Sequence, residues 1–103
     1  TFGPVLPIIE FGDDEEALRI ANSTKLGLQM SLYTSSMKWA YWYHERLRTG
    51  NLCVNESAGF WEPHQPFGGC PGTENGHGSI GGRYTIEEVT FRKTITVNFN
   101  NCE

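Results

Sequence analysis

Apolar and polar residues alternate along this chain with two spacings, and the spacing changes mark out the elements. Residues 5–11, Val-Leu-Pro-Ile-Ile-Glu-Phe, form an apolar run that predicts a buried strand. Pro7 cannot donate to a ladder, so an edge position or a bulge is expected there. Gly12 breaks the run. Residues 13–22 predict a helix: Asp13 is a suitable N-cap, Glu16 three residues on completes a capping box, and the acidic first turn suits the helix dipole. Ala17, Ile20 and Ala21, with Leu18 beside them, give the buried stripe, and Lys25 and Gly27 stand where a helix ends. Residues 28–34 alternate Leu, Met and Leu with Gln, Ser and Tyr, the period of a strand.

Ser35 or Ser36 then caps a second helix expected to reach Arg48, closed by Thr49-Gly50. Met37, Ala40, Tyr43 and Leu47 keep helical spacing, while Trp39, Tyr41 and Trp42 extend the apolar surface nearly all round. A helix of that kind is covered on more than one side. Residues 51–55 predict a short strand, 84–91 a short helix with Ile86 and Val89 on one side, and 93–99, Lys-Thr-Ile-Thr-Val-Asn-Phe, a β-branched strand ahead of a polar tail.

The order strand–helix–strand–helix–strand predicts an α/β fold, a βαβαβ part of a mostly parallel sheet with right-handed crossovers. Residues 1–82 make the main unit, 83–99 a short helix and terminal strand, and 100–103 the tail. Ligands in such sheets sit at the carboxyl ends of strands, and the long segment 56–82 leaves one of those ends. It shows no helical or strand period and holds eight of the twelve glycines. A compact domain rarely carries that much irregular chain unless it binds something or is disordered. Phe60, Trp61, His64 and Phe67 argue against disorder. Two readings follow: a shaped loop presenting rings to a ligand, or a loop packed over the core for stability alone. The last strand has nothing later in the chain to pair with, which suits pairing with another segment or subunit.

Composition narrows the partners. At 103 residues the chain is one domain, with a net charge of −4 and a pI near 5.3. Nucleic acid and anionic membrane both want a basic face, so neither is expected. No apolar run approaches the roughly 20 residues of a membrane helix, and no leader is recognisable. Three cysteines at wide spacings, Cys53, Cys70 and Cys102, do not form a disulfide framework, which points to a reducing, cytoplasmic setting. The sequons at Asn22 and Asn55 are read as chance. The opening on Thr1 rather than Met suggests a piece of a longer protein.

Several motifs are weak once their mechanism is considered. Gly76-His77-Gly78-Ser79-Ile80-Gly81 matches G-x-G-x-x-G, but no strand leads into it and another glycine follows, so backbone turning is expected rather than dinucleotide binding. His64, Cys70 and His77 match no common zinc spacing. A Cys–His pair from the same residues lacks any visible device that would lower the thiol pKa. The acidic run 13–16 reads as a solvated first turn, and His44 as a surface or packing residue.

An ordered series of short motifs is more specific. Phe2-Gly3-Pro4-Val5, Ala21-Asn22-Ser23-Thr24-Lys25-Leu26-Gly27-Leu28, Gly50-Asn51-Leu52-Cys53-Val54-Asn55, Pro66-Phe67-Gly68-Gly69 and Lys93-Thr94-Ile95-Thr96-Val97 follow one another at spacings that resemble the C-terminal part of the NAD(P)-dependent aldehyde dehydrogenase superfamily. The resemblance runs to about Asn98.

The resemblance implies oxidation of an aldehyde to a carboxylic acid with NAD or NADP, through a cysteine thiohemiacetal and thioester released by glutamate-activated water. It also implies that the nucleophilic cysteine, the general base, the oxyanion-hole asparagine and most of the cofactor site lie upstream, because none of the three cysteines here matches the nucleophile. By the same resemblance Phe2 packs near the nicotinamide ribose, Phe67 lines the substrate tunnel and Asn55 lies close to the active site. Residues 57–65 correspond to the variable wall of the aldehyde pocket, so Phe60, Trp61 and His64 are expected to set substrate preference. Their bulk, with no Arg or Lys in the stretch, favours an apolar or aromatic aldehyde. Thr94, Ile95, Thr96 and Val97 match a strand joining an intersubunit sheet, which implies a homo-oligomer, dimer or tetramer. This segment alone is expected to be inactive. Two competing readings are a non-catalytic structural or binding protein that keeps the fold, and a stand-alone α/β module that binds a small ligand through the long loop.

Overall fold

A computed structural model of the chain describes residues 3–101. The elements are α1 (Asp14–Ala21), β1 (Gln29–Leu32), α2 (Met37–His44), β2 (Asn51–Val54), α3 (Arg83–Glu88) and a terminal 3-10 turn (Phe99–Asn101). β1 and β2 pair in parallel, Gln29 opposite Asn51 and Leu32 opposite Val54, with α2 in the crossover. This is the βαβ centre of the expected α/β fold.

The strand sequences explain how the sheet is covered. Successive side chains in a strand point to opposite faces, so Met30, Leu32, Leu52 and Val54 share one face and Gln29, Ser31, Asn51 and Cys53 the other. The apolar face lies against the helices, where Phe11, Ala17, Ala21, Met30, Tyr43 and Leu47 surround one small cavity. Among the described residues Ala40 and Tyr43 are the buried apolar side chains. Tyr43 also ties the two helices, its hydroxyl donating to Asp14 Oδ1 at 2.7 Å. Burial pushes the phenol up to about 12, and the hydrogen bond to Asp14 and its charge push the same way.

The helix caps form largely as expected. Asp13 Oδ1 accepts from the Glu16 N–H at 2.8 Å. Glu16 reaches back one residue further than a capping box requires, accepting from the Gly12 N–H at 2.9 Å. Ser36 rather than Ser35 caps α2. That helix stops at His44, not Arg48. The Asn22 side chain draws the following segment away, its Oδ1 accepting from the Arg48 N–H at 2.8 Å and its Nδ2 donating to the Arg46 carbonyl at 2.9 Å. α3 ends at Glu88 instead of Phe91, with the Thr90 hydroxyl taking the Ile86 carbonyl at 2.6 Å.

Two expected strands do not form. Residues 5–11 and 93–99 make no ladder. Leu6 and Ile8 are 83% and 82% exposed, and Ile95 is 84% exposed. An apolar β-branched run becomes a strand only when a neighbour takes its N–H and C=O groups, and no described strand flanks either run. The chain is accordingly long, 75 × 32 × 23 Å, with a radius of gyration of 20.0 Å, against about 13 Å for a compact chain of this length.

The glycine-rich segment is neither loose nor repetitive; it is laced to the βαβ unit. The Gly27 carbonyl accepts from both Gly50 and Cys70 N–H groups at 2.9 Å. Asn75 Oδ1 accepts from the Gly27 N–H at 2.7 Å, and the Glu74 N–H donates to the Lys25 carbonyl at 2.9 Å. Phe67 and Ile80 exchange both backbone bonds, at 2.7 and 2.8 Å. These contacts bring backbone against backbone: a side chain at Gly50 would overlap the Gly68 carbonyl, and one at Gly81, where φ is +116°, would overlap the Gln65 carbonyl.

Candidate functional site

The polar face of the sheet and the segment after β2 enclose a cleft of about 550 Å³. β2 supplies Asn51 and Cys53 to its lining, and the following loop supplies Glu56, Phe60, Trp61 and Pro66. Glu56 is the one charged residue in that lining. The size suits a small organic molecule, and the two rings offer it apolar walls.

The loop holds its shape through short internal bonds. The Phe60 N–H donates to the Ser57 carbonyl and the Gln65 N–H to the Glu62 carbonyl, each at 2.9 Å. Trp61 Nε1 donates to the Gln65 carbonyl at 3.1 Å, which turns the indole back over its own loop. Its ring then meets Phe67 at 5.6 Å between centroids, inclined by 59°. Phe67 thus stands next to Trp61, fixed by its own backbone pairing with Ile80.

The structure brings together some of the sequence-predicted residues and separates others. Phe60 and Trp61 line the cleft, and Phe67 contacts Trp61. His64 is not part of the lining; its ring is largely exposed, with Nδ1 3.4 Å from Glu62 Oε2. Asn55 sits at the carboxyl end of β2 in the left-handed region, φ 57°. Its side chain closes the sheet end, Oδ1 accepting from the Thr34 N–H and Nδ2 donating to the Thr34 carbonyl, both at 2.8 Å. The Asn22 and Asn55 amides both make hydrogen bonds within the chain. Thr94, Ile95, Thr96 and Val97 lie in the exposed terminal segment. Phe2 falls outside the described residues, as does Cys102.

Gln29 was not among the expected site residues, yet its Nε2 donates to the Phe60 carbonyl at 2.6 Å and to Cys53 Sγ at 3.2 Å. The available signal was the alternation in β1, which puts Gln29 on the face opposite Met30 and Leu32. Cys53 and Cys70 are free thiols. No histidine shares the cleft lining with Cys53. Among the described residues no three of His, Cys, Asp and Glu gather closely enough to hold a metal ion, and no described helix is long and apolar enough to cross a membrane.

The run 76–81 does not fit a dinucleotide. The space a side chain would take at Gly76 is filled by the Cys70 carbonyl, and that at Gly81 by the Gln65 carbonyl. The Ser79 N–H already donates to Glu88 Oε1 at 3.2 Å, so a carboxylate occupies a donor that a phosphate would need. A nicotinamide cofactor therefore has no cradle in this run.

Comparison with known proteins places the chain. The family model described as "Aldehyde dehydrogenase family" matches residues 1–95. A lactaldehyde dehydrogenase of Methanococcus maripaludis is 40% identical over 98 residues, 95% of this chain and 21% of that protein. A benzaldehyde dehydrogenase [NAD(+)] of Pseudomonas putida is 38% identical over 96 residues, 93% of this chain and 20% of that protein. The crystal structure of Mycobacterium tuberculosis aldehyde dehydrogenase complexed with NAD+ superposes with a TM-score of 0.84 at 30% identity, covering 99% of this chain and 20% of that one. The chain thus spans about a fifth of the length of the curated relatives it matches. With the family model matching from residue 1 to residue 95, the chain belongs to the aldehyde dehydrogenase family.

Proposed function

We propose that this chain is part of an enzyme that oxidises an aldehyde to a carboxylic acid with NAD or NADP, and that it supplies the wall of the aldehyde pocket. The observation that carries this reading is the cleft between β2 and the loop, lined by Phe60 and Trp61 and without a Lys or Arg. Such a lining favours a neutral apolar or aromatic aldehyde: an anionic one would lose its hydration without gaining a cationic partner. Glu56 in the lining adds like-charge repulsion against a substrate carboxylate.

In this proposal Phe67 backs the wall through Trp61, and Asn55 holds the end of β2 beside the site, while His64 stands on the outer side of the same loop. Phe2 contacts the nicotinamide ribose. The nucleophilic cysteine that forms the thiohemiacetal and thioester, and the glutamate that activates water, belong to the rest of the protein, so the segment alone is inactive. Residues 94–97 join subunits of a dimer or tetramer, and the free thiols suit the cytoplasm.

The test uses the full-length protein that contains this chain, assayed with NAD and NADP against a panel of aldehydes. The expected result is kcat/KM about tenfold or more higher for benzaldehyde than for succinic semialdehyde. A preference for the anionic aldehyde overturns the assignment of the wall, and absence of NAD(P)-linked oxidation across the panel overturns the enzymatic reading.

A further inference from the structure

The parallel register of β1 and β2 puts two side-chain amides next to each other. Gln29 and Asn51 are paired across the sheet and share its polar face. Gln29 Nε2 donates to the Phe60 carbonyl at 2.6 Å. Asn51 is best oriented with its amide turned so that the nitrogen, rather than the oxygen, faces the Pro66 and Gly50 carbonyls, each at 3.2 Å. The two amides therefore grip the wall loop at both ends of its cleft-lining stretch. Between the grips the loop's side-chain and backbone bonds are internal: Trp61 Nε1 to the Gln65 carbonyl, the Gln65 N–H to the Glu62 carbonyl, and the Glu62 N–H to Gln65 Oε1 at 3.4 Å.

We infer that Gln29 and Asn51 act as a paired positioning device that sets how far residues 60–66 stand from the sheet, and hence the width of the aldehyde cleft. The chemistry suits that task. The Phe60 and Pro66 carbonyls face donors on the sheet, and each bond made there ties a partly exposed loop to a fixed strand. A neutral amide provides them without placing a charge beside the pocket. The second hydrogen of Gln29 is held by Cys53 Sγ at 3.2 Å, which fixes the amide's orientation. Gln29 also reaches Phe60 across 31 residues of sequence, so its bond constrains the loop in a way that the loop's own short bonds cannot. Without it, a segment held mainly by internal bonds samples more open positions, and a ring bound against Phe60 and Trp61 loses contacts that a small aliphatic aldehyde never made.

This inference rests on the reading of the loop as pocket wall, and the experiment separates the two. In the full-length enzyme, kcat/KM is measured for benzaldehyde and for propanal in the parent, Gln29→Met, Gln29→Asn, Phe60→Ala and the double variant Gln29→Met with Phe60→Ala. Gln29→Met keeps the volume and removes the donors; Gln29→Asn keeps the amide but withdraws it by one methylene, and carries the same expectation should the Met variant fail to fold. Either is expected to lower the benzaldehyde-to-propanal ratio about fivefold, the loss of one neutral hydrogen bond, mainly through KM for benzaldehyde and with the cofactor KM unchanged. The double variant is expected to fall by less than the product of the two single effects, because part of what Gln29 positions is the Phe60 ring. If Phe60→Ala shifts the ratio and neither Gln29 variant does, the positioning role is overturned. If Phe60→Ala leaves the ratio unchanged, the wall reading itself fails. If the Gln29 variants raise aldehyde and cofactor KM alike, the bond is a general structural contact and the inference is overturned.

Discussion

The hydroxyl of Tyr43 donates to Asp14 Oδ1 at 2.7 Å, joining α2 to the first turn of α1 across 29 residues. Among the described residues it is the one side-chain hydrogen bond between the two helices that cover the apolar face of the sheet. Tyr43 is 8% exposed, so the bond forms with little competition from water, and Asp14 gains a donor while it complements the helix N-terminus.

Tyr43→Phe in the full-length enzyme is therefore expected to cost about 1–2 kcal/mol, read as a lower midpoint of thermal or urea unfolding. The difference should depend on pH in a defined direction. The phenol is raised from 10.0 to about 12 in the folded protein, so the fold favours its protonated form. The stabilisation is fully present below about pH 10 and is lost as pH rises from there through about 12. The gap between parent and Tyr43→Phe should narrow across that window. A gap that stays constant to pH 12 would show that the phenol proton is not what the fold selects.

The glycines divide into those that touch backbone and those that do not, and the division is testable. At Gly50 an added methyl would overlap the Gly68 carbonyl, with the Gly68 and Gly69 carbonyl carbons close behind. Neither segment can give way, since Gly50 and Cys70 both donate to the Gly27 carbonyl. Gly50→Ala is expected to cost about 3 kcal/mol or more, or to prevent folding. At Gly59 the nearest atom is Ser57 Oγ at 3.5 Å, and Gly59→Ala should change stability by less than about 0.5 kcal/mol. Comparable unfolding midpoints for the two variants would contradict the backbone-stacking account of the glycine-rich segment.

What was readable in the sequence is what local chemistry decides. Asp13 and Ser36 announced their helices because a side-chain oxygen before an apolar stripe has one favourable use. Strands 28–34 and 51–55 were recognisable from their period, and the observed Gln29–Leu32 and Asn51–Val54 fall inside them. Residues 5–11 and 93–99 carry the same β-branched signal, yet whether they are strands depends on a neighbour that no local pattern encodes. The cleft was legible in part. Phe60 and Trp61 stood out as large rings on a glycine-rich loop, while Gln29 was unremarkable until the parallel register set it beside Asn51 and under Phe60. His64 looked equivalent to Phe60 in the sequence, but its ring lies outside the cleft lining and is largely exposed.

Phe67 offers a sharper test of the pocket because its backbone and side chain have separate tasks. Its N–H and C=O pair with Ile80, so truncating the ring leaves that bridge in place. The ring supports Trp61, and aromatic pairs of this kind contribute about 0.5–1.5 kcal/mol. Phe67→Ala is expected to reduce kcat/KM for an aromatic aldehyde about tenfold while the KM for NAD or NADP stays within about twofold. A variant that loses cofactor affinity and keeps aldehyde turnover would sink the tunnel assignment.

Exposure and sequence disagree most in the terminal segment. Ile95 is 84% exposed, Val97 47% and Phe99 82%. A soluble chain that left such a β-branched run uncovered would present an open template for strand addition, and Thr94, Ile95, Thr96 and Val97 alternate as a strand does. Pairing with a second subunit would satisfy the unpaired backbone and bury Ile95 together. A carboxylate at Ile95 or Val97 leaves the segment's own fold untouched, because it makes no ladder within the chain, but places a charge where an apolar contact is proposed. Ile95→Asp or Val97→Asp in the full-length enzyme should therefore shift the assembly toward smaller species on size-exclusion chromatography with light scattering, while Thr94→Ser leaves it as it was. An unchanged elution profile for both Asp variants would remove the intersubunit role, and the exposed run would then have to be covered by another part of the same polypeptide.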